Sequence, residues 1–319
     1  MLFDWKKGLC QRQFCLKSLG LKRWIRYPDQ RVAFSEKTDA PEDSHDAIYN
    51  MQPNRPCDCC GEGSLKSIEF PNAHRLWYCS TCKLYQQGIP TQEDIYEHDY
   101  HVEYSRHLAH KTRTATVRLD TIHRRLAGNH QYRLLDIGCS VGATLAAGKN
   151  RGWNATGADV SQQAVDWCKG RGFDAHAMPD GKLPFECDAF DVVTAWHVIE
   201  HVSDVNETLN EWLRVLKPGG LLALETPHAG CLKVRLLGNS YKKFWISDHL
   251  YAFRPGNLRT IVERHGMELV PVPIFGRSIG SPLSWIYSWV YQGFKEPLRQ
   301  MGISKAFQIM ARKPLGPNQ

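Results

Sequence analysis

From about residue 130 the chain alternates short apolar runs, most of them ending in Gly or Asp, with amphipathic stretches. That alternation is the signature of β-α-β units stacked into a parallel sheet with helices on its faces. The runs are Arg133-Leu134-Leu135, Ala155 to Ala158, Asp191 to Ala195 and Leu221 to Leu224. Between the last two, Val205, Leu209, Leu213 and Leu216 recur at helical spacing, and Pro218-Gly219-Gly220 predicts the stop. The first run continues through Asp136, Gly138, Cys139, Ser140 and Gly142 into a helix beginning Ala143-Thr144-Leu145. Glycines at 138 and 142 let a ligand approach the backbone, and the helix N-terminus favours negative charge. The next strand ends at Asp159, 21 residues after Gly138, where a carboxylate can bind both hydroxyls of a ribose.

A second constraint lies upstream. Cys57 and Cys60 form one C-x2-C knuckle and Cys79 and Cys82 a second, with 18 residues between them. This is the spacing of a four-thiolate zinc ribbon: two knuckles deliver four sulfurs tetrahedrally to Zn²⁺. Gly61 and Gly63 relieve the backbone beside the first knuckle, and Cys59 has the wrong offset to be a ligand. A segment this short has little core, so the metal supplies most of its folding energy, and four sulfurs leave no open position for catalysis.

Eleven cysteines in 319 residues are too few for a small disulfide-stapled fold, and no stretch of about 18 apolar residues predicts a spanning helix. The first dozen residues carry charges and no apolar signal core, so the expected location is cytoplasmic, with thiols reduced. The net charge of +7 is unevenly placed: residues 1–34 carry +6, residues 271–319 carry +5, and the body between them −4. Residues 35–56 are polar, contain Pro and lack apolar period, which reads as a linker. The expected organisation is a basic tail and linker over 1–52, a zinc ribbon over 53–90 and the α/β domain over 100–319.

Residues 100–313 resemble the class I S-adenosylmethionine-dependent methyltransferases, in the small-molecule branch whose glycine motif reads D-x-G-C-x-x-G, here Asp136, Gly138, Cys139 and Gly142. Gly157 to Ser161, Leu183-Pro184-Phe185, Phe190 to Val193, Val198 to Val202 and Leu216 to Gly220 match in the same order. The resemblance implies a Rossmann-like seven-stranded sheet with its last strand antiparallel, and S-adenosyl-L-methionine as cofactor. It places Asp136 and the amides of Gly138, Cys139 and Ser140 against the methionyl part, Asp159 and Val160 at the ribose, and Met178 at the adenine. Trp196 is implied on the methyl side. A dinucleotide dehydrogenase would want G-x-G-x-x-G, but Ser stands at 140 and Ala at 143.

His197 stands where a neutral imidazole would deprotonate an acceptor hydroxyl, with His228 and His249 as alternative bases. Glu200 and His201 resemble the Glu-His pair of ubiquinone-pathway O-methyltransferases, but His197 stands where those have a further carboxylate three residues before the Glu. Tyr100 and Tyr104 resemble a cofactor-closing segment, and Trp245 to Phe253 the substrate-side loops of the zinc-ribbon subset. An insert at about 280–302 contains the stripe Leu283, Trp285, Ile286, Trp289 and Val290, fitting either an interfacial membrane helix or a lid or subunit contact. The expected function is methyl transfer to a small-molecule or carbohydrate-type acceptor, at oxygen. The basic ends suit peripheral contact with the inner membrane face, and nucleic acid is disfavoured as partner because Thr194-Ala195-Trp196-His197 replaces an N-P-P-Y motif. The rivals are an RNA methyltransferase using the ribbon for grip and a non-catalytic cofactor-binding module.

Overall fold

The computed structural model describes residues 56–62, 65–69, 75–87, 107–126, 128, 131–237, 249–271 and 306–315. The expected basic tail, Tyr100 and Tyr104, Trp245 to Asp248, and the 280–302 insert lie outside the described residues. The chain divides after Ile48, and every described residue belongs to the second unit, Tyr49–Gln319.

That unit opens with three short strands, β1 (Leu65–Glu69), β2 (Arg75–Cys79) and β3 (Tyr85–Gln87). Helix α1 (Leu108–His123) then leads into β4 (Arg133–Ile137), α2 (Ala143–Asn150), β5 (Asn154–Asp159), α3 (Gln162–Lys169), β6 (Asp174–Ala177) and β7 (Phe190–Trp196). There follow α4 (Val205–Val215), β8 (Leu216–Pro227), α5 (Leu232–Leu237), β9 (Tyr251–Ala252), α6 (Pro255–Arg264), β10 (Glu268–Val270) and β11 (Ala306–Arg312). Seven of the strands form one sheet in the order β10-β11-β8-β7-β4-β5-β6. Strands β4 to β8 in this sheet run parallel, while β11 is antiparallel to both of its neighbours. The expected α/β sheet with an antiparallel last strand is therefore present.

The four predicted apolar runs form β4, β5, β7 and β8. Leu134, Leu135, Val192, Val193, Leu221 and Leu222 are each 1% exposed or less, as strands sandwiched between two helical layers must be. Helix α4 starts where predicted and is capped by Asp204, whose carboxylate accepts from the amides of Asn206 (2.8 Å) and Glu207 (3.0 Å). It ends one residue short of expectation: Leu216 is already extended and pairs with Phe190, so the strand begins before Pro218. Strand β6, Asp174-Ala175-His176-Ala177, has no apolar run to mark it in the sequence. Pairing with β5 holds it, helped by a Thr156 hydroxyl donating to Asp174 at 2.7 Å.

The remaining sheet is β1-β2-β3-β9. Its last strand is contributed from 164 residues beyond β3, with Tyr85 opposite Ala252 and Gln86 opposite Tyr251. The sheet of the cysteine-rich segment thus takes its fourth strand from a later part of the chain. No helix among the described residues is long and apolar enough to cross a membrane.

Candidate functional site

Parallel strands leave a crevice at their C-terminal ends where the connections on either side of two neighbouring strands depart in opposite directions. Here that point lies between β4, which leads to β5 and β6, and β7, which leads to β8. Thr194 on β7 donates to Asp136 on β4 across this seam at 2.6 Å. Asp136 is 2% exposed, and burial pushes its carboxyl up to about 7 against the opposing pull of the Thr194 and Thr144 hydroxyls. One of its oxygens is thereby engaged by the neighbouring strand.

The turn after β4 winds through left-handed backbone at Gly138, Ser140 and Gly142 (φ +69°, +48° and +78°). A Cβ on Gly138 would lie 2.5 Å from Val198, so the position requires glycine twice over. The amides expected to face the methionyl group act inside the turn: Gly138 and Cys139 donate to the Ala158 carbonyl, and Ser140 donates to Asp159 at 2.9 Å. Asp159 also accepts from the Ser161 amide at 3.0 Å, which fixes the carboxylate at the end of β5. The Ser140 hydroxyl is buried and finds no partner among the described residues. Val160, next to Asp159, exposes 40% of its surface beside the crevice. An anchored acid, an orphaned hydroxyl and an exposed apolar side chain offer a nucleoside an acceptor, a further polar partner and an apolar contact. Cys139 is buried against Gly157, where a Cβ would come within 2.7 Å of its sulfur, and hydrogen bonding with Cys168 plus burial pushes its thiol up. Met178 is 5% exposed and packs into the main core, with its amide on the Asp159 carbonyl. It stands directly after β6 among core residues.

On the other side of the crevice stand the residues after β7 and β8. His197 has φ +59°, and its two ring nitrogens each lie 3.2 Å from a carboxylate, Nδ1 from Glu200 and Nε2 from Glu225. Partial burial opposes charge on this ring, but the bonds and charges of Glu200 and Glu225 outweigh it and raise its pKa to about 9. The raised pKa favours a charged ring over the neutral base expected from sequence, with its two nitrogens facing Glu200 and Glu225. Glu225 receives Arg118 and Gln308 as well, and these cations and donors hold it at about 2 despite burial. The Arg118 guanidinium also lies 4.4 Å over the Trp196 ring, whose indole nitrogen is buried without a partner among the described residues. Arg118, Glu225 and Gln308 had no sequence signal, because each lies outside the family motifs.

Glu200 is 1% exposed and is held below the usual carboxylate range, in spite of burial, by His197, His201 and His249. One ligand atom each from Glu200, His201 and His249 lie within 4.8 Å of one another, a three-donor group able to face a cation. Both Glu200 oxygens already accept bonds, from His197 and from Thr226 at 3.0 Å. His228, directly after β8, is 8% exposed and meets Phe307 edge to face at 5.4 Å, the surroundings of a packed ring.

The four knuckle cysteines come together as the spacing requires. All four sulfurs lie within 4.8 Å of one another, with Cys57 to Cys82 at 3.5 Å and Cys60 to Cys79 at 3.6 Å. A tetrahedron with metal–sulfur bonds of about 2.3 Å has edges of about 3.8 Å, so the set fits zinc. Both knuckles close alike: Gly61 donates to the Cys57 carbonyl and Lys83 to that of Cys79, each at positive φ. Burial opposes ionisation of Cys79, yet the amides of Cys82 and Thr81 bring its thiol down to about 7. Cys59 turns away and donates to the Asn257 carbonyl at 3.1 Å.

Among curated proteins, two ubiquinone biosynthesis O-methyltransferases are each 30% identical to this chain. The one from Idiomarina loihiensis matches over 122 residues (34% of this chain, 48% of the relative), and that from Brucella anthropi over 151 residues (43% and 60%). The chain thus spans about half to three fifths of these relatives' length. Among solved structures, a chain of the complex between the Haloferax volcanii Trm112 methyltransferase activator and a methyltransferase aligns over 69% of this chain and 99% of its own. Its TM-score is 0.50 at 16% identity, a likeness of fold. The family described as "Methyltransferase domain" matches residues 104–272, more than half of the sequence and the whole stretch from α1 to β10, and the chain belongs to that family.

Proposed function

We propose that the protein transfers the methyl group of S-adenosyl-L-methionine to a hydroxyl of a small-molecule or carbohydrate-type acceptor, and that Cys57, Cys60, Cys79 and Cys82 hold a structural zinc ion. The observation that carries the reading is the anchored Asp159 beside the Ser140 hydroxyl at the sheet's reversal point, within a chain of this family. The relatives named for ubiquinone O-methylation support oxygen as the target.

When bound, the sulfonium cofactor supplies an electrophilic methyl for in-line displacement. Asp159 and Ser140 would hold its ribose and neighbouring polar groups, and Val160 its base. Alignment is the main demand of such a reaction, and the fixed ends of β4, β5 and β7 meet it. His197, charged and clamped by Glu200 and Glu225, donates hydrogen bonds and shapes the acceptor side. His249, beside Glu200 and His201, becomes the better-placed proton acceptor.

Calorimetry with S-adenosylhomocysteine tests the cofactor. Wild-type protein should bind it, and Asp159→Ala should weaken binding by roughly tenfold or more, as loss of a charged hydrogen-bond acceptor implies. Failure of the wild type to bind would remove the enzyme reading in favour of a module without cofactor. Metal analysis of protein purified without chelator should give about one zinc per chain, the load of a single four-thiolate centre.

A further inference from the structure

We propose that Asp58, lying between the metal-binding Cys57 and Cys60, is a positioning residue that fixes the acceptor-side loop Leu250–Arg254 according to whether the knuckles hold their metal. The inference rests on the zinc reading above and extends it, since a structural site would otherwise need only to fold its own segment.

Asp58 is tied to β3 in its own segment and to three elements from later in the chain, β9, α4 and α6. A single carboxylate oxygen, Oδ2, accepts from the Gln86 side chain on β3 at 2.7 Å and from the Tyr251 hydroxyl on β9 at 2.8 Å. Its carbonyl accepts from Asn206 at the start of α4 (3.2 Å) and from Arg264 at the end of α6 (3.5 Å). The adjoining Cys59 carbonyl takes a further bond from Arg264, and the Cys59 thiol donates to Asn257. Gln86 is fully buried and Tyr251 is 3% exposed, so both donors to the shared oxygen are largely shielded from water.

From Tyr251 the linkage continues to the chemistry. The Tyr251 amide donates to the Glu200 carbonyl at 3.1 Å, directly behind the carboxylate that holds His197. Two residues on, the Phe253 carbonyl accepts from the Ala229 amide at 2.7 Å, next to His228. The loop is therefore pinned between the knuckle and both acceptor-side segments, those after β7 and after β8. Withdrawing the metal frees Cys57 and Cys60 to separate, and Asp58, held between them, carries its oxygen out of register with Tyr251. The cofactor turn, built from β4 and β5, is stabilised by its own bonds.

Hydrogen–deuterium exchange on the full chain, read by mass spectrometry, tests this. Asp58→Ala and Tyr251→Phe should each retain zinc and S-adenosylhomocysteine binding, while amides of residues 249–258 exchange roughly tenfold faster, the effect of losing one buried charged hydrogen bond. Asp58→Asn keeps one oxygen at the shared position and should restore most of the protection, which a merely volume-filling residue would not require. Wild-type protein stripped of zinc by chelator should show the same local loss, with residues 134–160 unchanged. Exchange over 249–258 that ignores both the variants and the metal overturns the inference while leaving the zinc reading intact. A wild type without zinc overturns both.

Discussion

At the level of single residues, the decisive group is His197, whose ring sits between two carboxylates with 3.2 Å to each. A neutral imidazole has one N–H to give, so satisfying both contacts requires the doubly protonated ring. With a folded pKa of about 9 against about 6.5 when unfolded, this pairing contributes its full stability below about pH 6.5 and loses it as pH rises through 9. The melting-temperature gap between wild type and His197→Ala should therefore narrow from pH 6 to pH 10, and the ring should titrate near 9 by NMR. A midpoint near 6.5 would restore the general-base role. The position of His197 is legible in the sequence because the motif after strand β7 is local. Its charge is not, because Glu225 lies 28 residues away and reaches it only through the parallel pairing of β7 and β8. The same holds for Asp136: its place before the glycine turn is plain, but burial under Thr194 depends on the neighbouring strand.

Among elements, apolar runs and caps translate directly into structure, and polar strands do not. Helix α4 illustrates the first case, its start marked by Asp204, whose carboxylate takes two backbone amides. Asp204→Ala should cost about 1 kcal/mol, seen as a fall in melting temperature of about 2–4 °C with the fold otherwise unchanged. Strand β6 is the second case: its residues acquire strand conformation only because β5 offers an edge. Strand β9, two residues long, is invisible for the same reason. Nothing in Tyr251-Ala252 signals a strand until β3 is alongside. The cysteine knuckles, by contrast, are legible as turns, since C-x2-C spacing encodes the geometry that Gly61 and Lys83 complete.

At the scale of the whole molecule, charge is unevenly distributed along the sequence. The basic ends, +6 over residues 1–34 and +5 over 271–319, flank a body of −4. Vesicles containing anionic lipid should sediment the full chain at about 0.1 M salt and release it at about 0.5 M, while neutral vesicles should not retain it. Retention by neutral vesicles would point to the aromatic stripe of residues 283–294 instead. The fold class and the order of the motifs are readable because each β-α-β unit is a local sentence in the chain. The completion of the ribbon's sheet by β9 is not, because it is a contact between distant segments. One further consequence lies in the position of β11 between β8 and β10. During synthesis, β10 emerges with no neighbour to join, and the outer edge of β8, with Leu222 and Leu224, stays bare until Ala306–Arg312 is made. The edge of β8 that pairs with β11 therefore waits, its backbone N–H and C=O groups without their β11 partners, while 35 intervening residues, 271–305, are made.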